Sequence, residues 1–168
     1  MEAIIFSGLQ GAGKTTFYRD HFFTTHLRLS LDMLRTRRRE TLLLHACLAA
    51  KQPFVIDNTN ATAEHRARYL APARAAGFRV VGYHFAIPLA TCLARNAARP
   101  SGQRVPPVGL YSTNKRLQPP TLDEGFAAIS IVRLDDDGSL MVEAMGTDAS
   151  PRTIGHGLIP PAEGGPPR

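Results

Sequence analysis

The octapeptide Gly8-Leu9-Gln10-Gly11-Ala12-Gly13-Lys14-Thr15 constrains this chain more than any other feature, because it satisfies the pattern G-x-x-x-x-G-K-[ST] in full. Its setting matters as much as its letters. Residues 2–7 are a short β-branched and aromatic run of the kind that makes a buried parallel strand, and residues 14–22 carry helix-forming side chains. Strand, glycine loop and helix in that order let successive backbone N–H groups point inward at a phosphate, with the helix N-terminus adding its dipole. The expectation is nucleoside triphosphate binding. Gly8, Gly11, Ala12, Gly13, Lys14, Thr15 and Thr16 would cradle the phosphates of ATP, Lys14 bridging the β- and γ-phosphates and Thr15 ligating Mg²⁺.

The rest of the chain repeats the same grammar. Residues 27–30, 54–56 and 79–85 read as further short strands, separated by helical stretches over 31–50, 62–76 and 88–98. Thr62 is placed to cap the second of these and Gly77 to stop it. Strands separated by helices of ten or more residues imply βαβ crossovers, hence an α/β fold with a parallel sheet flanked by helices, of the P-loop NTPase and kinase type. Residues 99–107 are rich in Arg, Pro and Gly and read as a mobile loop, followed by a short helix to Arg116. Two β-like runs, 127–134 and 140–144, flank Asp135-Asp136-Asp137-Gly138-Ser139, a hairpin signal. The expected organisation is a kinase-type domain over residues 1–145 and a Gly/Pro-rich, disordered tail over 146–168.

Composition narrows the class. At 168 residues and 43% hydrophobic, the chain can bury one sizeable core, and no apolar run approaches the roughly 20 residues a membrane span requires. The glycine loop follows the N-terminus too soon for a signal peptide, so no membrane role is expected. Cys47 and Cys92 are too few for a disulfide scaffold, and a reducing, cytoplasmic location follows as the default expectation. His45, His65 and His84 have no partner at ligand spacing, which leaves Mg²⁺ carried by the nucleotide as the expected metal. The net charge of +6 comes from 17 arginines and 3 lysines against 14 acids. That bias suits a polyanionic partner, and equally a genome rich in arginine codons.

Asp32 sits two residues beyond the second strand, with Arg35 three positions later on the same helical face. Transfer to a hydroxyl needs a base to accept its proton, and a nearby arginine would hold an anionic acceptor. An aspartate in a first helical turn is also favoured by the dipole and an i,i+3 ion pair, so it is the phosphate loop in the same chain that turns the reading towards catalysis. Asp57 ends the third strand, where a second metal-directed carboxylate belongs, and Asn58 and Asn60 continue over the same sheet edge. An Asx turn accounts for the two asparagines equally well. Arg95 and Arg99, four apart at a helix end, can neutralise charge on a transferring phosphoryl group or simply be solvated. Arg37-Arg38-Arg39 cannot share one helix face and reads as a solvated basic cluster.

The phosphate loop, Ser30-Leu31-Asp32 with Arg35, Asp57-Asn58-Thr59-Asn60, Arg95 to Arg99, and Pro119-Pro120-Thr121-Leu122-Asp123-Glu124-Gly125-Phe126 occur in one order. In that order the chain resembles the polynucleotide 5'-hydroxyl kinases, over about residues 2–134, and in particular the kinase module of polynucleotide kinase/phosphatase enzymes. The resemblance implies Lys14 and Thr15 on ATP and Mg²⁺, Asp32 as general base, Arg35 at the acceptor's phosphate, Arg95 and Arg99 as lid arginines, and a single-stranded 5'-hydroxyl nucleic-acid end as acceptor. Asp57, Asn58 and Asn60 fall on the substrate side of the same cleft. No second catalytic module is expected within these 168 residues: Asp135-x-Asp137-Gly138 imitates a phosphatase nucleophile motif but reads as a hairpin turn. A P-loop kinase for a nucleoside, sugar or antibiotic, and a nucleotide-binding adaptor with little turnover, are the competing functional readings.

Overall fold

Alternating short apolar runs and helical segments build a three-layer α/β arrangement in the computed structural model, which describes residues 1–145. In chain order the elements are β1 (Glu2–Gly8), α1 (Lys14–His21), β2 (Leu27–Leu29), α2 (Leu31–Leu34), α3 (Arg37–Ala50), β3 (Phe54–Ile56) and α4 (Ala63–Ala75). They continue with β4 (Arg79–Phe85), α5 (Leu89–Ala97), α6 (Pro107–Arg116), β5 (Ala128–Leu134) and β6 (Leu140–Met145). The six strands lie in the order β2-β3-β1-β4-β5-β6. All neighbours are parallel except the β5–β6 hairpin, whose five-residue turn is closed by Asp135 N–H on Ser139 O. The expected hairpin is therefore present. The expected tail, 146–168, lies outside the described residues.

Strand alternation divides the core. Ala3 and Ile5 of β1 face α3 and α4 together with Leu29, Phe54, Leu44, Tyr69 and Leu70. Ile4 and Phe6 face the other way, towards Phe17 and Phe22 around α1 and Cys92 of α5. The Phe6 ring meets those of Phe17, Phe22 and Phe85 at 5.2–6.0 Å, edge-on or tilted, contacts worth about 0.5–1.5 kcal/mol each beyond burial. β1 is followed by β2 and β3 on one side of it, and the chain then crosses from β3 to β4 on the other side, so the strand order reverses direction at β1. The crevice this opens at the carboxyl ends of the strands is where open α/β sheets bind ligands.

One expected helix is two. The stretch 31–50 breaks at Arg35, which closes α2 with a left-handed φ of 67°, and Thr36 starts α3 afresh by accepting a hydrogen bond from Arg39 N–H. The break makes α2 a single turn and gives the chain a corner immediately after Asp32. Thr62 caps α4 as expected, accepting from His65 N–H. The segment read as a mobile loop has definite anchors. Residues 101–103 form a 3-10 turn, and the Asn96 side chain brackets both backbone groups of Val105 at 2.7 and 3.0 Å. No helix among the described residues is long and apolar enough to cross a membrane.

Candidate nucleotide-binding and catalytic site

The glycine loop leaves β1 and enters α1 over the crevice. Gly11 has φ 82° and lies so close to α5 that a Cβ there would stand 2.7 Å from the Cys92 carbonyl oxygen. Gly13 has φ 93°, and Arg95 Nη1 lies 3.6 Å from where its Cβ would be. Only glycine fits the first position, and the second brings Arg95 directly against the loop. Gly8 N–H is fixed by Thr59 O at 2.9 Å, while Ala12 is buried. Lys14 is 9% exposed, with Nζ donating to the carbonyls of Gly8 and Leu9 at 2.9 and 2.6 Å. Burial pulls its ammonium down to about 8, Arg99 acting in the same sense and Asp57 and Asp32 opposing. Arg99 and Asp32 line the same crevice as Lys14. Thr16 lines the crevice on the first turn of α1.

The Thr15 hydroxyl donates to Asp57 Oδ2 at 2.9 Å, joining the start of α1 to the end of β3. These are the two groups expected at a metal, and the structure brings them together. One carboxylate and one hydroxyl are hard oxygen donors of the kind Mg²⁺ uses alongside nucleotide phosphates. Among the described residues no three His, Cys, Asp or Glu side chains gather as a metal site of their own. The hydroxyl and carboxylate supply two of the oxygen donors Mg²⁺ takes, so the pair fits a metal whose other oxygens come from a nucleotide. His84 plays no such part: its Nδ1 meets Ser7 Oγ at 3.0 Å, and burial first, then Arg66 and Arg133, pushes it down to about 4.

Sequence reasoning missed Arg28. This β2 residue donates through Nε to Asp57 Oδ2 at 2.8 Å and through Nη2 to Thr15 Oγ1 at 3.0 Å. The signal available was alternation in Leu27-Arg28-Leu29, which turns Arg28 away from the buried face that Leu29 occupies.

Asp32 is exposed on α2 and shares the crevice with Arg35. Its setting is fixed from behind. Asn58 Oδ1 accepts from Leu31 N–H at 2.9 Å, and Asn58 Nδ2 donates to Glu40 Oε1 at 2.6 Å. Glu40, 3% exposed, also accepts from Arg37 and from the Tyr69 hydroxyl. A buried network thus ties the turn carrying Asp32 to α3, α4 and the end of β3, and one arginine of the 37–39 cluster belongs to it. Asn60, 3% exposed with φ 43°, directs Nδ2 onto Phe6 O at 2.7 Å. Both asparagines line the crevice, but the amide groups named here are spent on the fold. Arg95 and Arg99 are half-buried on the far side of the loop, so the crevice has Asp32 and Arg35 at one wall and two arginines at the other.

The Thr121 to Phe126 segment is structural. Thr121 and Glu124 form a capping box, Phe126 is buried, and Glu124 grips Arg66 with both oxygens at 2.6 and 2.7 Å. Arg66 is 1% exposed and also donates to the carbonyls of Asn60 and Gln118.

Known proteins share this arrangement. Residues 4–120 match a family described as AAA domain. A bifunctional polynucleotide phosphatase/kinase from Schizosaccharomyces pombe is 25% identical over 135 residues, which is 78% of this chain and 33% of that protein. The chain thus spans about a third of that relative. Among solved structures, Chaetomium thermophilum Kti12 in complex with ADP-AlF3 superposes with a TM-score of 0.62 at 17% identity, covering 80% of this chain and 90% of that one. A gluconokinase from Sinorhizobium meliloti 1021 gives 0.54 at 17% identity, covering 79% and 82%. Such likenesses carry the fold. With the phosphate loop inside the matched span and the sheet order in place, the chain belongs to the AAA domain family and has the P-loop kinase fold.

Proposed function

We propose that this protein transfers the γ-phosphate of ATP to the 5'-hydroxyl of a DNA or RNA strand. The observation that carries the reading is the placement of Asp32, an exposed carboxylate that lines the phosphate-loop crevice together with Lys14, with Arg35 closing the same helical turn. In the proposed step the acceptor hydroxyl gives its proton to Asp32 as its oxygen bonds to the γ-phosphorus. The bond from that phosphorus to the β,γ-bridging oxygen breaks and ADP leaves. Lys14, Arg95 and Arg99 meet the charge that develops on the phosphoryl oxygens. Mg²⁺ would be held by Thr15 and Asp57 and would supply charge neutralisation for the polyphosphate. The similarity to a polynucleotide phosphatase/kinase favours a nucleic-acid acceptor, and Arg35 would hold its phosphate.

Transfer of labelled γ-phosphate to a panel of 5'-hydroxyl oligonucleotides, nucleosides and sugars tests this. Oligonucleotides should be labelled, and Asp32→Asn should lower that rate by about 10²–10⁴-fold with ADP binding retained. Labelling of sugars or nucleosides in place of oligonucleotides would move the acceptor to a small molecule. No labelling at all, with ADP bound normally, would favour a nucleotide-dependent adaptor.

A further inference from the structure

Arg28 occupies ground that the metal needs. Its side chain is 18% exposed, its guanidinium stands at 2.6–3.0 Å from Asp57 Oδ2 and Thr15 Oγ1, and the Asp57 side chain is only 2% exposed. A Mg²⁺ ion bonded to Thr15 Oγ1 would sit about 2.1 Å from that oxygen. It would therefore lie within about 5 Å of Arg28 Nη2, two cations sharing one largely buried carboxylate. The arginine has other holds. Nη1 meets Met33 Sδ at 3.1 Å, and the guanidinium lies 5.8 Å from the centre of the Tyr18 ring. Met33 is the residue after Asp32 on α2, so this one side chain touches the metal-side groups and the turn carrying the proposed base.

We propose that Arg28 competes with Mg²⁺ for Asp57 and Thr15, so that the metal enters only with a nucleotide. While it holds Asp57, the guanidinium neutralises that carboxylate and repels a second cation. The polyphosphate brings enough negative charge to reverse that balance, the guanidinium leaves Asp57, and its remaining contacts keep it between Tyr18 and Met33 beside Asp32. The site thereby admits the metal with a nucleotide in preference to the free metal ion. This inference rests on the reading of Thr15 and Asp57 as metal-side groups and is independent of the acceptor.

Mn²⁺ binding to the full chain, followed by electron paramagnetic resonance of the free ion, tests it without turnover. Arg28→Gln should bind Mn²⁺ at least about tenfold more tightly than the wild type without nucleotide, and the difference should shrink to about threefold or less when ADP is present. Arg28→Lys, a point charge that cannot span both oxygens, should fall between them. In the wild type, the Arg28 Nε–H resonance should shift with Mg²⁺ and ADP together and stay in place with Mg²⁺ alone. If Arg28→Gln does not fold, Arg28→Lys and this resonance decide. Mn²⁺ affinity unchanged or weaker in the variants, or a resonance indifferent to Mg²⁺ with ADP, would reduce Arg28 to a structural ion pair. Asp57→Asn separates the premises: if it leaves Mn²⁺ retention with ADP unchanged, the metal-side reading itself falls.

Discussion

Lys14 has to carry charge to hold a polyphosphate, yet its burial in the loop favours the neutral amine. With the free-state value brought down to about 8, nucleotide binding restores the proton, because phosphate oxygens stabilise the ammonium. Affinity for ADP should therefore be level below about pH 7 and fall as pH rises through and beyond 8, by up to about tenfold per unit. Titration calorimetry at pH 8.5 in buffers of different ionisation enthalpy should show proton uptake on binding. Lys14→Met should bind weakly and without this pH dependence; a wild-type affinity flat to pH 9.5 would contradict the assignment. Glu124 presents the opposite case, a charge used wholly for the fold. Glu124→Gln strips the counter-charge from fully buried Arg66 and should cost about 3–5 kcal/mol of unfolding free energy. A loss below about 1 kcal/mol in denaturant titration would show that Arg66 finds other compensation.

Among the elements, the single turn α2 decides where Asp32 stands, and α2 is held by Asn58 rather than by its own length. Asn58→Ala leaves Leu31 N–H and buried Glu40 short of a partner but removes nothing from the phosphate loop. Transfer kcat should fall by about tenfold or more while ADP affinity stays within about twofold; equal losses in both would mean a general loosening of the sheet edge. The same corner shows where reading the chain stops. The phosphate loop was legible because all of its physics lies within eight consecutive residues, and the strands were legible because apolar runs end at polar residues such as Asp57. The break at Arg35 was not, because Thr36 announces a new helix only weakly amid helix-forming arginines. Arg28 with Asp57, Asn58 with Glu40, and Arg66 with Glu124 are 29, 18 and 58 residues apart. No local pattern encodes those pairings. Asn58 and Asn60, read as facing a substrate, turned out to have their amide nitrogens bound within the fold, a distinction that only the neighbours in space can make.

At the scale of the whole molecule, charge gathers on the side of the crevice that Asp32 occupies. Arg35 closes α2, Arg37 begins α3, Arg68 lies on α4 and Arg116 ends α6. His65 at the crevice wall is pushed below its ordinary value by desolvation and then by Arg68, Arg37 and Arg116, with only Glu64 opposing. Three arginines from elements far apart in sequence thus act on His65, while Arg35 and Arg37 line the crevice itself, Arg37 already paired with Glu40; a chain of phosphates can use the unpaired charge, and a neutral sugar cannot. An oligonucleotide acceptor would release condensed counterions there. Its affinity should then fall with salt at a log–log slope of about −0.7 for each phosphate contacted on a single strand. Arg35→Ala should weaken acceptor binding and flatten the slope by about one contact, and Arg68→Ala should do the same without altering ADP affinity. Fluorescence anisotropy of a labelled 5'-hydroxyl oligonucleotide, measured from low to moderate salt with ADP present, gives both quantities. A slope near zero in the wild type would mean that these arginines face solvent, and with them would go the case for a polynucleotide over a small acceptor.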